Sequence, residues 1–148
     1  MQLSSPIFKN DEMIPKKFGY KHGNFSPPLM IADVPKNSKS LVLIMDDPDA
    51  LDAVGKVWTH WVLWNISPNT KTIGENSIPQ NSIQGLNDFG QVGYGGPAPP
   101  DKEHTYVFTL YSLDCNIENN EGSTKNEILN SINTHVLKKA QLFGKFSP

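Results

Sequence analysis

The run Ser40-Leu41-Val42-Leu43-Ile44-Met45 is continuous and apolar, and it is closed abruptly by Asp46-Asp47-Pro48-Asp49. That pattern predicts a short strand buried on both faces. From Val57 to Ile66 strict alternation puts Trp58, His60, Val62 and Trp64 on one face of a second strand, and Thr59, Trp61, Leu63 and Asn65 on the other. A third strand, Thr105 to Leu113, sets Tyr106, Phe108 and Leu110 against Val107, Thr109, Tyr111 and Leu113. Then the period changes. Thr124-Lys125-Asn126-Glu127 is a capping box, and Ile128, Leu129, Ile132, Val136, Leu137 and Ala140 follow at spacings of three and four with Gly144 as the stop. This predicts one C-terminal amphipathic helix laid on the sheets. Between the second and third strands, residues 67–104 are rich in Gly, Asn and Pro, and so long a segment inside a compact domain is expected to be functional and to hide short strands.

These elements, separated by most of the twelve prolines and eleven glycines, predict a mainly β fold: an antiparallel β-sandwich with peripheral helices. At 148 residues, with 37% hydrophobic and 9% aromatic side chains, the chain is expected to form a single domain spanning 1–148 around one core. Thirteen basic and fifteen acidic residues give a net charge of −2 with no long run of either sign, which argues against a nucleic-acid surface. Cys115 is the only cysteine, so an intrachain disulfide and a multi-cysteine metal site are excluded and a reducing, cytoplasmic setting is expected. Neither a signal sequence nor a membrane-spanning apolar stretch is visible, so no integral membrane contact is expected.

Candidate chemistry gathers in four places. Asp47 and Asp49 stand at the mouth of a buried strand, where a carboxylate needs a partner, although Asp-Pro-Asp is also ordinary turn chemistry. His60 lies on an inward strand face, where a histidine held by one backbone partner is the simpler reading. His104 and Tyr106, two apart at a strand start, leave the same face and can converge. Gly93-Tyr94-Gly95-Gly96-Pro97-Ala98-Pro99-Pro100 presents backbone without bulk, so its amides can approach an anion. Together two imidazoles, a carboxylate able to fix their tautomers, a phenol and loop amides describe a compact receptor for phosphate or another oxyanion. Two alternatives share these residues: an acid/base set of Asp47, His60 and His104 for phosphate-ester hydrolysis, and a two-histidine, one-carboxylate metal site. No Gly-Lys-Ser/Thr phosphate loop accompanies them.

Gly23-Asn24-Phe25-Ser26-Pro27-Pro28-Leu29, Asp47-Pro48-Asp49-Ala50, Trp58-Thr59-His60-Trp61-Val62-Leu63-Trp64-Asn65, and Gly95-Gly96-Pro97-Ala98-Pro99-Pro100 with His104-Thr105-Tyr106 resemble the ordered motifs of the phosphatidylethanolamine-binding protein family, which includes the Raf kinase inhibitor proteins. The chain looks most like the bacterial and archaeal branch. The resemblance implies a non-enzymatic protein without a cofactor, holding phosphate, acetate or a phosphoethanolamine-like head group, and acting as a regulatory or inhibitory module on a kinase or a serine protease. It leaves a homodimer open. Its ligand-binding residues correspond to Asp47, His60, Gly96, Pro97, His104 and Tyr106, supported by Asp49, Trp58 and Gly95. The chain departs from the family pattern at Leu51, where proline is usual, at Thr105, where arginine is usual, at Met30-Ile31, where a tryptophan is common, and at Phe146, where tyrosine is usual.

Overall fold

The computed structural model describes all 148 residues. In chain order the elements are β1 (Gln2–Ser4), β2 (Glu12–Met13), β3 (Leu29–Ala32), β4 (Ser40–Asp47), α1 (Ala50–Val54), β5 (Trp58–Ile66), β6 (Thr72–Ile73), β7 (Ile83–Gln84), β8 (His104–Leu113), α2 (Lys125–Ile132) and β9 (Val136–Phe146). They form two sheets, β1-β3-β6 and β2-β9-β8-β4-β5-β7. All pairings are antiparallel except the short β2 beside β9. This is the β-sandwich that the three apolar runs predict, and β6 and β7 are the short strands concealed in residues 67–104.

β4 is paired on both sides, with β5 and with β8, and five of its residues from Leu41 to Met45 are at most 1% exposed. Its alternation therefore feeds two cores. Leu41, Leu43 and Met45 meet Trp61, Leu63, Phe108 and Leu110 and, across the sandwich, Leu3, Leu29, Ile31 and Ile73 of the small sheet. Val42 and Ile44 face the other way, against Val62, Trp64, Leu113, Ile117 and the helix residues Ile128 and Ile132. α2 starts where the capping box places it, Thr124 Oγ1 accepting from the Glu127 amide at 3.2 Å.

The helix is shorter than its pattern. It ends at Ile132, and Val136–Phe146, expected to carry the same apolar stripe, is instead the eleven-residue strand β9. β9 pairs with the whole length of β8, from Leu113↔Val136 to His104↔Phe146. The physical reason is tertiary: a continued helix leaves the outer edge of β8 without hydrogen-bond partners, whereas the strand satisfies that edge and turns Leu142 and Phe146 into the main core. The spacing of three and four among Val136, Leu137 and Ala140 is coincidental with a period of two from Ala140 through Leu142 to Phe146.

β5 also departs from simple alternation, at two bulges. Between Met45↔Trp61 and Asp46↔Thr59 one extra residue, His60, sits in β5, so Trp58 and His60 do not share the face of Val62 and Trp64. They emerge on the side of Tyr106, beneath which the main core lies. Near the other end Asn65 adopts φ of 52°, and its side chain turns to Ile117, donating to the carbonyl at 2.8 Å and accepting from the amide at 3.0 Å. Ile66 is thereby returned to the main core. Bulges of this kind re-aim side chains next to sites. No helix in the structure is long and apolar enough to cross a membrane.

The strand assignment of 136–146 is open to a direct check. Leu142, 2% exposed, is expected to lose about 2–5 kcal/mol of stability on truncation to Ala, as buried leucines do, while Leu137→Ala, at a half-buried position, is expected to lose under about 1 kcal/mol. Urea unfolding of the two variants measures this, and the opposite ranking is what a helix through Ala140 requires.

Candidate functional site

The site grows from the end of β4. Asp47 is 3% exposed, and a carboxylate so buried needs its lone pairs filled. Oδ1 accepts from the Ala50 amide at 3.2 Å where α1 begins, and Oδ2 lies 2.7 Å from His104 Nδ1, at the first residue of β8. Two residues on, Asp49 Oδ2 accepts from the Thr105 amide at 2.8 Å. The Asp-Pro-Asp segment thus ties the end of β4 to the start of β8 through both of its carboxylates.

His104 has a second acidic partner. Its Nε2 lies 2.7 Å from Asp101 Oδ1. With a carboxylate at each nitrogen both ring N–H groups donate, and the ring is an imidazolium. Burial opposes this charge, but the bonds to Asp47 and Asp101 outweigh it and hold His104 above its ordinary 6.5. His60 is the opposite case. Burial pulls it below 6.5, only partly countered by the Gly95 carbonyl and the charge of Asp47. Its Nδ1–H donates to Gly95 O at 2.6 Å, while the Gly95 amide returns a bond to His60 O at 2.9 Å. The neutral ring therefore carries its free lone pair on Nε2. Asp47, expected to orient both imidazoles, bonds only His104; a backbone carbonyl fixes His60.

Between them lies a cavity of about 210 Å³, lined by Asp47, His60, His104 and Trp58 together with Ala50, Val54, Phe89, Ala98 and Pro100. Phe89 stands edge-on to both Trp58 and His60, with centroids at 5.6 and 5.5 Å, and stacks on Tyr20 at 4.1 Å. Tyr106 underlies the site, edge-on to His60 at 5.2 Å. Burial and the neighbouring Asp47 charge push its phenol far up, so it remains a donor. Of the three buried side-chain polar atoms without a hydrogen-bond partner, two are here, Trp58 Nε1 in the lining and Tyr106 Oη beneath it; the third is Ser38 Oγ.

The glycine-proline segment serves differently from its expected role. Gly96 and Pro97 do not line the cavity. The Gly96 amide donates to Asn24 Oδ1 at 2.7 Å, and a Cβ there would overlap the Phe18 carbonyl oxygen, so its glycine is needed for close backbone packing. Pro97 faces a separate cavity of about 150 Å³ with Lys21, His22 and Phe146. The Gly93, Gly95 and Gly96 amides are committed to Gly85 O, His60 O and Asn24 Oδ1, so the glycine donors of the loop are spent on folding; Ala98 and Pro100 form the rim instead. Gly95 supports the site through its carbonyl, and its Cβ would collide with Phe89. The sequence reading missed Phe89, which carries no recognisable pattern, and Asp101, for which an acid three residues before a strand-initiating histidine was an available signal.

A sandwich of these two sheets with a carboxylate–imidazole cavity at the strand ends defines a class, and the comparisons agree with it. The family model described as phosphatidylethanolamine-binding protein matches residues 4–147. The chain belongs to that family. It is 42% identical to a UPF0098 protein of Methanothermobacter thermautotrophicus over 99% of this chain and 98% of that one, and 40% identical to a UPF0098 protein of Chlamydia trachomatis over the same shares. Among solved structures, a phosphatidylethanolamine-binding protein homologue from Chlamydia trachomatis superposes with a TM-score of 0.93 at 38% identity, covering 99% of this chain and 97% of that one. Escherichia coli YbcL gives 0.91 at 28% identity, covering 99% and 98%. A carboxypeptidase Y inhibitor, solved in complex with its cognate proteinase, gives 0.60 at 18% identity over 97% and 81%, a likeness of fold.

The two imidazoles should titrate on opposite sides of 6.5, His60 below and His104 above, in ring-proton NMR. The linked stability has a definite sign for each. His104 stabilises fully below 6.5 and loses that contribution as pH rises through its raised folded pKa; His60 contributes nothing adverse above 6.5, and its destabilisation grows as pH falls below 6.5 until its lowered folded pKa is passed. Unfolding free energy measured across pH 5–9 is therefore expected to lose its alkaline decline in His104→Gln, and a decline unchanged in that variant would remove His104 as its source.

Proposed function

We propose that the cavity binds the head group of a small anion, phosphate or a phosphate ester such as phosphoethanolamine, with carboxylates such as acetate as weaker ligands. The observation that carries this is the pairing, in one cavity lining, of a histidine held between two carboxylates with Trp58, whose buried Nε1–H has no partner. A buried donor without an acceptor costs about 1–3 kcal/mol, and an oxyanion supplies an acceptor to Trp58 while meeting the His104 charge. The size fits: about 210 Å³ holds a head group, with any remainder of the ligand outside.

A binding role is favoured over phosphate-ester hydrolysis by the lining itself. It contains no Ser, Thr or Cys nucleophile, and His104, one of the two bases that hydrolysis would use, holds its proton between two carboxylates. The same occupancy speaks against a two-histidine metal set, because His104 has no free nitrogen to offer. A regulatory role toward a protease or a kinase, as the family resemblance implies and as the inhibitor among the structural neighbours does for its own proteinase, is the functional context in which such head-group binding is proposed to act.

Phosphate is expected to bind with a Kd on the order of millimolar, since few donors converge and much of the ligand stays hydrated. Titration into ¹⁵N-labelled protein, following the Trp58 indole N–H, measures it. Trp58→Phe keeps an aromatic ring and deletes the donor, and is expected to weaken binding about tenfold, the value of one hydrogen bond to a charged group. An indole resonance unmoved at saturating phosphate contradicts the assignment.

A further inference from the structure

We infer that Asp101 is an internal anion: its carboxylate occupies on His104 Nε2 the position an incoming oxyanion takes, so that binding exchanges the one for the other. This rests on the anion-binding reading above and adds the residue that sets its affinity.

The two carboxylates on His104 are not equivalent. Asp47 is buried, its side chain 5% exposed, and its second oxygen is committed to the Ala50 amide; it cannot leave without stranding a buried charge. Asp101 has a side chain 43% exposed over a ring that is 1% exposed. His104 is the only side chain it bonds, and it lies in the irregular segment between Pro100, which lines the cavity, and β8. Rotation about its side-chain bonds carries the carboxylate into water, breaking its bond to His104 and its local bonds to the Asp101 and Lys102 amides. The groups facing the ring are Asp47 from β4, Asp101 from the loop and the Tyr106 phenol on β8 itself, while β9 offers the apolar Phe146 opposite.

Exchange rather than simple vacancy follows from the charge. An imidazolium so deeply buried cannot leave Nε2–H unpaired without a large desolvation cost, so Asp101 departs only as another anion arrives. A tethered carboxylate competes at a high effective concentration, in the millimolar range for short tethers. A free carboxylate replaces it like for like and gains little. A tetrahedral oxyanion brings further oxygens, available to the unpaired Trp58 donor, and so binds the vacated position more tightly than acetate does. Asp101 thereby weakens every anion by the same factor, setting the concentration at which the site fills, while the further oxygens of phosphate set the preference.

The test uses the full chain and three proteins, wild type, Asp101→Ala and Asp101→Asn, each ¹⁵N-labelled and titrated with inorganic phosphate and with acetate. The His104 Nε2 and Trp58 indole resonances are the readouts. Asp101→Ala is expected to bind both anions about tenfold or more tightly, phosphate and acetate gaining by the same factor, with His104 Nε2 moving on binding. Acetate should also return the ring's titration midpoint, lowered by the substitution, towards the wild-type value, which a merely structural Asp101 would not predict. Asp101→Asn, neutral but similar in shape, is expected to fall between, and it carries the test should the alanine variant melt early. Binding seen at Trp58 with equal affinity in all three proteins overturns the inference and leaves the anion reading standing. Silence of both resonances in all three overturns both.

Discussion

β4 is paired on both edges and apolar on both faces, and this double burial is the constraint from which the architecture follows. One face demands a second sheet, supplied by β1, β3 and β6; the other demands a lid, supplied by α2 and the segment around Ile117. A strand buried in this way has no gradual exit to solvent. Its polar end, Asp46-Asp47, emerges where the sheet is still thick, so each carboxylate must be met: Asp46 by Lys125 at 2.8 Å and by Thr59, Asp47 by His104. The candidate site is in this sense the polar seam of the core.

The bulge at His60 decides which core that seam touches. Had β5 kept strict alternation, His60 would lie with Val62 and Trp64 under α2, away from Asp47 and His104. One extra residue moves it to the Tyr106 side, and two imidazoles of one cavity then acquire opposite proton affinities, one charged between carboxylates and one neutral against a carbonyl. Environments that drive paired titratable groups apart assign their chemical roles: His104 supplies charge and His60 a lone pair.

The departures from the family pattern are intelligible in the same geometry. Thr105 meets Asp49 through its backbone amide, so the contact survives whatever side chain stands there. Phe146, opposite His104 in the β8–β9 ladder and 4% exposed, fills the space against Gly19 and the His22 ring by packing alone. Leu51 projects from α1 with 55% exposure and constrains nothing at the cavity.

The sequence by itself determined the three long apolar runs as strands, the sandwich class, the start of α2 at its capping box, and the chemical types gathered at the site, because each is written in local periodicity or in a short motif whose physics is local. Tertiary structure alone decided the rest. The stretch 136–146 reads as helix until the open edge of β8 claims it, since edge hydrogen bonds outweigh a weak propensity. The facing of His60 and Asn65 depends on bulges, which shift register without altering composition. Gly96 and Pro97 turn away from the cavity and Phe89 comes to it because long-range packing of the 18–24 and 85–101 segments sets where each residue points, and no short window of sequence contains both partners of such a contact.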